Sequence, residues 1–216
     1  MKRTPFILLI LISSLCLFVS TFAQKGDLKN TIELSSKYGN FTESDYNKEK
    51  ACGILISYLK EHPNLDKVNK SYIYIQLARY NGMWATSKTE DANKEKYYYE
   101  KALNVAKDSF VNKDIISARI NYACIEKDTL KRIANTKELV SWLSSLYFMK
   151  ESLLQEKVSL RNHKKNDVQV YSYKIKQLKS FIKMQIKLNS RMLINMIKEQ
   201  PDAKEHFHEL ISIFYA

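Results

Sequence analysis

Four glycines and three prolines in 216 residues are too few chain-reversing positions for most sheet folds. Sandwiches and doubly wound folds turn every few residues, and an average protein spends about one residue in eight on Gly and Pro. Long helices with few breaks remain, and a 45% hydrophobic content is enough to cover a core between them. The same scarcity removes glycine-rich phosphate loops, since the chain contains neither Gly-x-Gly nor Gly-Lys-Ser/Thr.

The N-terminus predicts export. Lys2 and Arg3 precede an almost continuous apolar run from Phe6 to Phe18, and Thr21-Phe22-Ala23 places small residues before a cleavage point. A membrane anchor is the rival reading, but a spanning helix needs roughly 20 apolar residues. Residues 1–23 are therefore expected to be a signal peptide, leaving 24–216 as a single domain in the periplasm or outside the cell. Removing Lys2 and Arg3 lowers the formal charge from +12 to +10. Cys16 falls inside the apolar run, whereas Cys52 and Cys124 remain in the mature chain, each beside an alanine. They read as buried thiols at close helix contacts, with a disulfide as the alternative, and neither has a Cys or His at metal-ligand spacing.

Apolar spacing and cap residues predict eight helices over about 27–37, 44–59, 68–84, 91–108, 113–126, from Asn135, from Asn166-Asp167 to about 199, and from Asp202. Val168 to Tyr173 comes nearest to strand-like alternation and still suits the start of the long helix. Asn135-Thr136-Lys137-Glu138 reads as a reciprocal cap. Starts near 44, 91 and 136 recur at 47 and 45 residues, a helix-pair repeat length, so the expected fold is all-α with stacked antiparallel hairpins.

Tyr74-Ile75-Gln76-Leu77-Ala78-Arg79-Tyr80 resembles the first helix of a tetratricopeptide repeat, with Asn81 at the later tyrosine position. Tyr97-Tyr98-Tyr99-Glu100-Lys101-Ala102-Leu103 looks like the second helix, with Tyr99 and Ala102 in register and Glu95 where the family places a small residue. Ala51, Leu55 and Pro63 fit the end of a preceding repeat, with Tyr58 in an alanine position. The resemblance covers residues 44 to 108 and implies an irregular tetratricopeptide-like α-solenoid that binds peptides or proteins on its inner face. The Phe-Ala-Gln end of the leader resembles export signals of Bacteroidota.

Fourteen tyrosines are unusual for this length, with Tyr72, Tyr74, Tyr80 and Tyr97 to Tyr99 in one expected hairpin. They either line a peptide groove or fill space between helices with their hydroxyls at the boundary. The partner-binding candidates are Tyr72, Arg79, Tyr80, Trp84 and Tyr98. Because a helix turns about 100° per residue, at least one of Tyr97, Tyr98 and Tyr99 must point away from the core.

From Arg161 to Arg191 nine basic residues face a single acid, Asp167. Lys176, Lys179, Lys183, Lys187 and Arg191 recur every three or four residues and form one basic stripe, with Ile175, Leu178, Ile182, Ile186, Leu193 and Met196 on the other side. This stripe is either a solvated face or a surface for anionic lipid, polysaccharide or an acidic protein. Export makes nucleic acid an unexpected partner.

His206 and His208 lie two positions apart on a helix and cannot share one metal ion, and the zincin order fails at Ser212. No Gly-x-Ser-x-Gly is present, and Glu33, Asp45, Glu138 and Glu151 are scattered helical acids. The sequence therefore predicts a non-catalytic exported module, with no cofactor and no metal, that binds a protein or peptide partner. The alternative is a peripheral binder of anionic surfaces through residues 174–191.

Overall fold

The computed structural model describes residues 27–82, 89–107, 109–158 and 168–199. The expected signal peptide, Trp84 and the helix expected from Asp202 lie outside them. Among the described residues every regular element is a helix, and the only strand-like pairing is one isolated bridge between Val111 and Val158. Backbone packing divides the chain into two compact units, one ending at Leu65 and the next beginning at Asp66.

The first unit is a helical hairpin. Helix α1 covers 27–39 and α2 covers Lys48–Glu61. They run antiparallel, because Asp27 at the start of α1 meets His62 just past the end of α2 (3.3 Å), while Tyr38 accepts from the Asn47 amide at the opposite end (2.8 Å). Between these points the buried Ser35 hydroxyl donates to the Ala51 carbonyl at 3.1 Å. Asn47 caps α2 by accepting from the Lys50 amide, so the helix starts four residues later than its apolar pattern suggests.

The second unit contains α3 (Lys67–Gly82), α4 (Thr89–Ala106), α5 (Lys113–Cys124), α6 (Thr129–Phe148), α7 (Glu151–Lys157) and α8 (Val168–Lys198). Consecutive helices from α3 to α6 pack antiparallel. Ser71 donates to the Ala102 carbonyl (3.0 Å) and Gly82 lies beside Glu95, which joins α3 to α4. Asn121 to Tyr99 (2.9 Å) and Lys96 to Glu126 (2.8 Å) join α4 to α5. Arg119 to Glu138 joins α5 to α6. Helix α8 returns along α6, with Leu139, Leu143 and Leu146 packed with Ile175, Leu178 and Ile182, and Ile133 and Val140 packed with Leu193 and Ile197.

Small residues decide where helices come close. Ala78, Ala102, Ala106 and Ala118 surround Tyr99, Ile75, Phe110 and Ile115, and Trp142 is shared between this cluster and the leucine-rich one behind it. Asp66, Asn112 and Asp128 cap α3, α5 and α6 by accepting from Asn69, Ile115 and Lys131.

Asp128 also corrects the expected start of α6. The helix begins at Thr129, so Asn135 to Glu138 are interior positions, and the Thr136 hydroxyl bonds the Arg132 carbonyl instead of capping an end. Helix starts at 48, 89 and 129 therefore recur at 41 and 40 residues, not 47 and 45. The short α7 was not anticipated. It is anchored by buried Leu154 and by the Val111 amide donating to the Lys157 carbonyl at 2.9 Å, so its stability comes from tertiary contact. Neither Cys52 nor Cys124 is in a disulfide. Cys52 is half-buried, but Cys124 is exposed, because Ala123 one position earlier takes the inward slot.

Glu95 is half-buried against Gly82, where the tetratricopeptide pattern would place a small residue, and burial holds its carboxyl above the ordinary range. The native state therefore keeps this proton to higher pH than the unfolded chain does, so the contribution of Glu95 to stability is greatest below the ordinary carboxylate pKa. It is lost as pH rises through the raised value. Glu95→Gln should raise the melting temperature at pH 7 and leave it nearly unchanged at pH 4, as thermal unfolding followed by circular dichroism would show.

Candidate functional site

A groove of about 460 Å³ crosses α4, α5 and α6 in the second unit. Helical spacing presents each side chain to it. Glu100, Leu103, Asn104 and Lys107 form one stripe of α4; Ile115, Arg119, Tyr122 and Ala123 form one stripe of α5; and Asn135, Glu138 and Trp142 come from α6. Lys107 ends α4 in a left-handed conformation (φ 42°), its amide donating to the Leu103 carbonyl at 2.7 Å.

Arg119 links two other lining residues. Its guanidinium lies 4.5 Å from the Trp142 ring centroid and donates to Glu138, so two flat groups are stacked and held from one side. Asn104 is exposed and Asn135 half-buried, and among the described residues neither side-chain amide is hydrogen-bonded. The lining thus combines a planar plate, apolar patches at Leu103 and Ile115, two uncommitted amides, and two acids balanced by two bases.

Of the partner-binding candidates read from the sequence, Tyr72, Arg79, Tyr80 and Tyr98 do not line this groove, and Trp84 lies outside the described residues. Tyr80 is buried at 7% exposure, and Tyr72 is half-buried on α3. Arg79 pairs with Asp114 at 3.7 Å. Tyr98 stacks on Tyr74 with centroids 6.4 Å apart, and Tyr74 lies two positions, roughly 200°, around α3 from Tyr72. Tyr98 is therefore not brought together with Tyr72 and Arg79. Tyr97 is the member of its triplet that faces outward, at 51% exposure, while Tyr99 is buried.

The basic stripe lies where its spacing places it. Lys176, Lys183, Lys187 and Arg191 are exposed, and Ile175, Leu178, Ile182 and Leu193 on the other side are buried. Lys179 sits at the boundary and donates to the Met149 carbonyl at 3.2 Å.

Among the described residues no group of three His, Cys, Asp or Glu side chains could hold a metal ion, and no helix is long and apolar enough to cross a membrane. Glu33 pairs with Lys29, Asp45 with Lys37 and Glu138 with Arg119, while Glu151 opens α7. His62 stacks on Tyr58 with ring centroids 4.0 Å apart; the other three histidines lie outside the described residues.

Comparison with protein-family models, with curated proteins and with solved structures finds no match to this chain.

Proposed function

We propose that this protein is a non-catalytic binding module of tetratricopeptide-like helical hairpins, acting in the cell envelope, and that the α4–α5–α6 groove holds a protein or peptide segment. The observation that carries this reading is the Arg119–Trp142 stack in a groove that the uncommitted amides of Asn104 and Asn135 also line. A stacked guanidinium and indole offer a flat, pre-ordered surface to an apolar or aromatic side chain. The two amides can each donate to and accept from the backbone of an extended segment. Export is supported by the charged and apolar pattern of residues 2–23.

The test is selection of peptides on the purified protein from a random display library, followed by titration of the selected peptides. In a Trp84→Phe background Trp142 is the sole tryptophan and reports occupancy by its own fluorescence. Arg119→Ala, and separately the pair Asn104→Ala with Asn135→Ala, should weaken the selected peptides about tenfold or more. Tyr97→Ala, outside the groove, should leave affinity unchanged. Peptides that bind the groove variants as tightly as the native protein, or no enrichment at all, would refute the reading.

A further inference from the structure

The outward face of α8 carries a second surface of different chemistry. The helix has seven cations, Lys174, Lys176, Lys179, Lys183, Lys187, Arg191 and Lys198, and no acidic residue over its 31 positions. Among the described residues, Lys176, Lys183, Lys187 and Arg191 have no carboxylate partner. A solvated helix lowers its self-repulsion by interleaving signs, and α8 does not.

The same face is not purely polar. Met184 and Leu188 are 48% and 52% exposed, although buried apolar positions lie on the opposite side of the same helix. Lys187 and Leu188 stand three and four positions beyond Met184, and Arg191 three beyond Leu188, so two apolar side chains alternate with two cations along a single exposed stripe. Tyr173, eleven positions before Met184 and so about three turns nearer the N-terminus, lies on the same face at 59% exposure.

We propose that the outward face of α8 docks on anionic phospholipid bilayers, lying in the plane of the headgroups. The cations meet lipid phosphates while Met184 and Leu188 enter the boundary with the acyl chains, and the long lysine stems let charged and apolar groups work at different depths. A soluble polyanion would use the charges and leave Met184 and Leu188 in water. Their interleaving is therefore the feature that selects a bilayer.

The experiment is co-sedimentation of the full chain with vesicles of phosphatidylcholine alone or with about 30% phosphatidylglycerol, at salt from roughly 0.05 to 0.3 M. The apolar run at residues 6–18 is present in every form, so the difference between anionic and neutral vesicles reports the charged face. Native protein should prefer the anionic vesicles, and the preference should fall steeply with salt. Changing Lys176, Lys183, Lys187 and Arg191 together to Gln should cost roughly a hundredfold or more. Met184→Ser with Leu188→Ser should weaken binding severalfold with the salt slope unchanged. All of these positions are exposed, and matching circular dichroism will show that the variants fold; Lys187→Glu alone should move binding in the same direction. An unaltered anionic preference in the four-Gln form would overturn the proposal. So would a Met184/Leu188 variant that binds vesicles like the native chain, or dextran sulfate binding equal to vesicle binding in both forms, which would assign the surface to a soluble polyanion.

Discussion

Ile182→Asp should unfold the second unit at ordinary temperature, while Lys183→Asp, one position along, should leave it folded. Ile182 has 0% exposure and sits with Leu139, Leu143, Leu154 and Leu178. Replacing it removes the packing of a large aliphatic side chain and also inserts a carboxylate among leucines with no partner. The combined cost should exceed about 4 kcal/mol, a large part of the 5–15 kcal/mol that holds an average domain together. Lys183 is exposed and has like-charged Lys179 and Lys187 one turn away on either side. A carboxylate there relieves repulsion, so stability should stay within about 0.5 kcal/mol of native or rise slightly. Urea unfolding followed by circular dichroism measures both variants. Losses of similar size would show that α8 does not present the faces described here.

The contrast between these neighbours shows why α8 was legible. Periodicity reports which side of a helix is apolar, and a long helix averages over enough turns for the signal to survive an odd residue. Its expected opening at Asn166-Asp167 and end near 199 lie close to the observed Val168–Lys198. Helix α6 was misread for a local reason. Asn135 and Glu138 satisfy the spacing of a capping box, but Asp128 lies a further two turns upstream and caps first, after which nothing stops the helix running through. Helix α7 carries too few residues for any periodic signal, and Leu154 and the Val111 amide that hold it come from tertiary packing.

The groove was less legible than the fold. Its lining comes from three helices, and no spacing along one helix reveals which face meets another across a cleft. Arg119 and Trp142 are 23 positions apart, and their stacking depends on α5 and α6 packing antiparallel. In the sequence Trp142 is only one of the apolar residues that recur with Leu139, Leu143 and Leu146 at helical spacing. The tyrosines of α3 and α4 drew notice by abundance, yet close helix packing beside Ala78 and Ala102 gives Tyr99 a core role.

Tyr99 permits a test of that core role that separates its ring from its hydroxyl. The side chain is 2% exposed, and its hydroxyl accepts from the Asn121 amide at 2.9 Å, joining α4 to α5. Tyr99→Ala should cost about 3–5 kcal/mol, because the surrounding alanines cannot fill an aromatic-sized cavity. Tyr99→Phe keeps the ring and leaves the part-buried Asn121 amide without its acceptor, for about 1 kcal/mol at neutral pH. Burial holds the phenol above its ordinary pKa of 10.0; the Asn121 bond and Arg79 oppose that rise and Glu95 adds to it. The native state thus keeps the proton after the unfolded chain has released it. The tyrosine contribution is complete below pH 10 and is lost as pH rises through the higher native value. Phenylalanine has no proton to lose, so the advantage of the native protein over Tyr99→Phe should be constant from pH 8 to about pH 9 and shrink as pH rises past 10. Urea midpoints of the two proteins across that range provide the measurement. A gap that stays constant with pH would show that the hydroxyl ionises as freely in the folded chain as in the unfolded one, and would remove Tyr99 from the interior of the α3–α4–α5 packing.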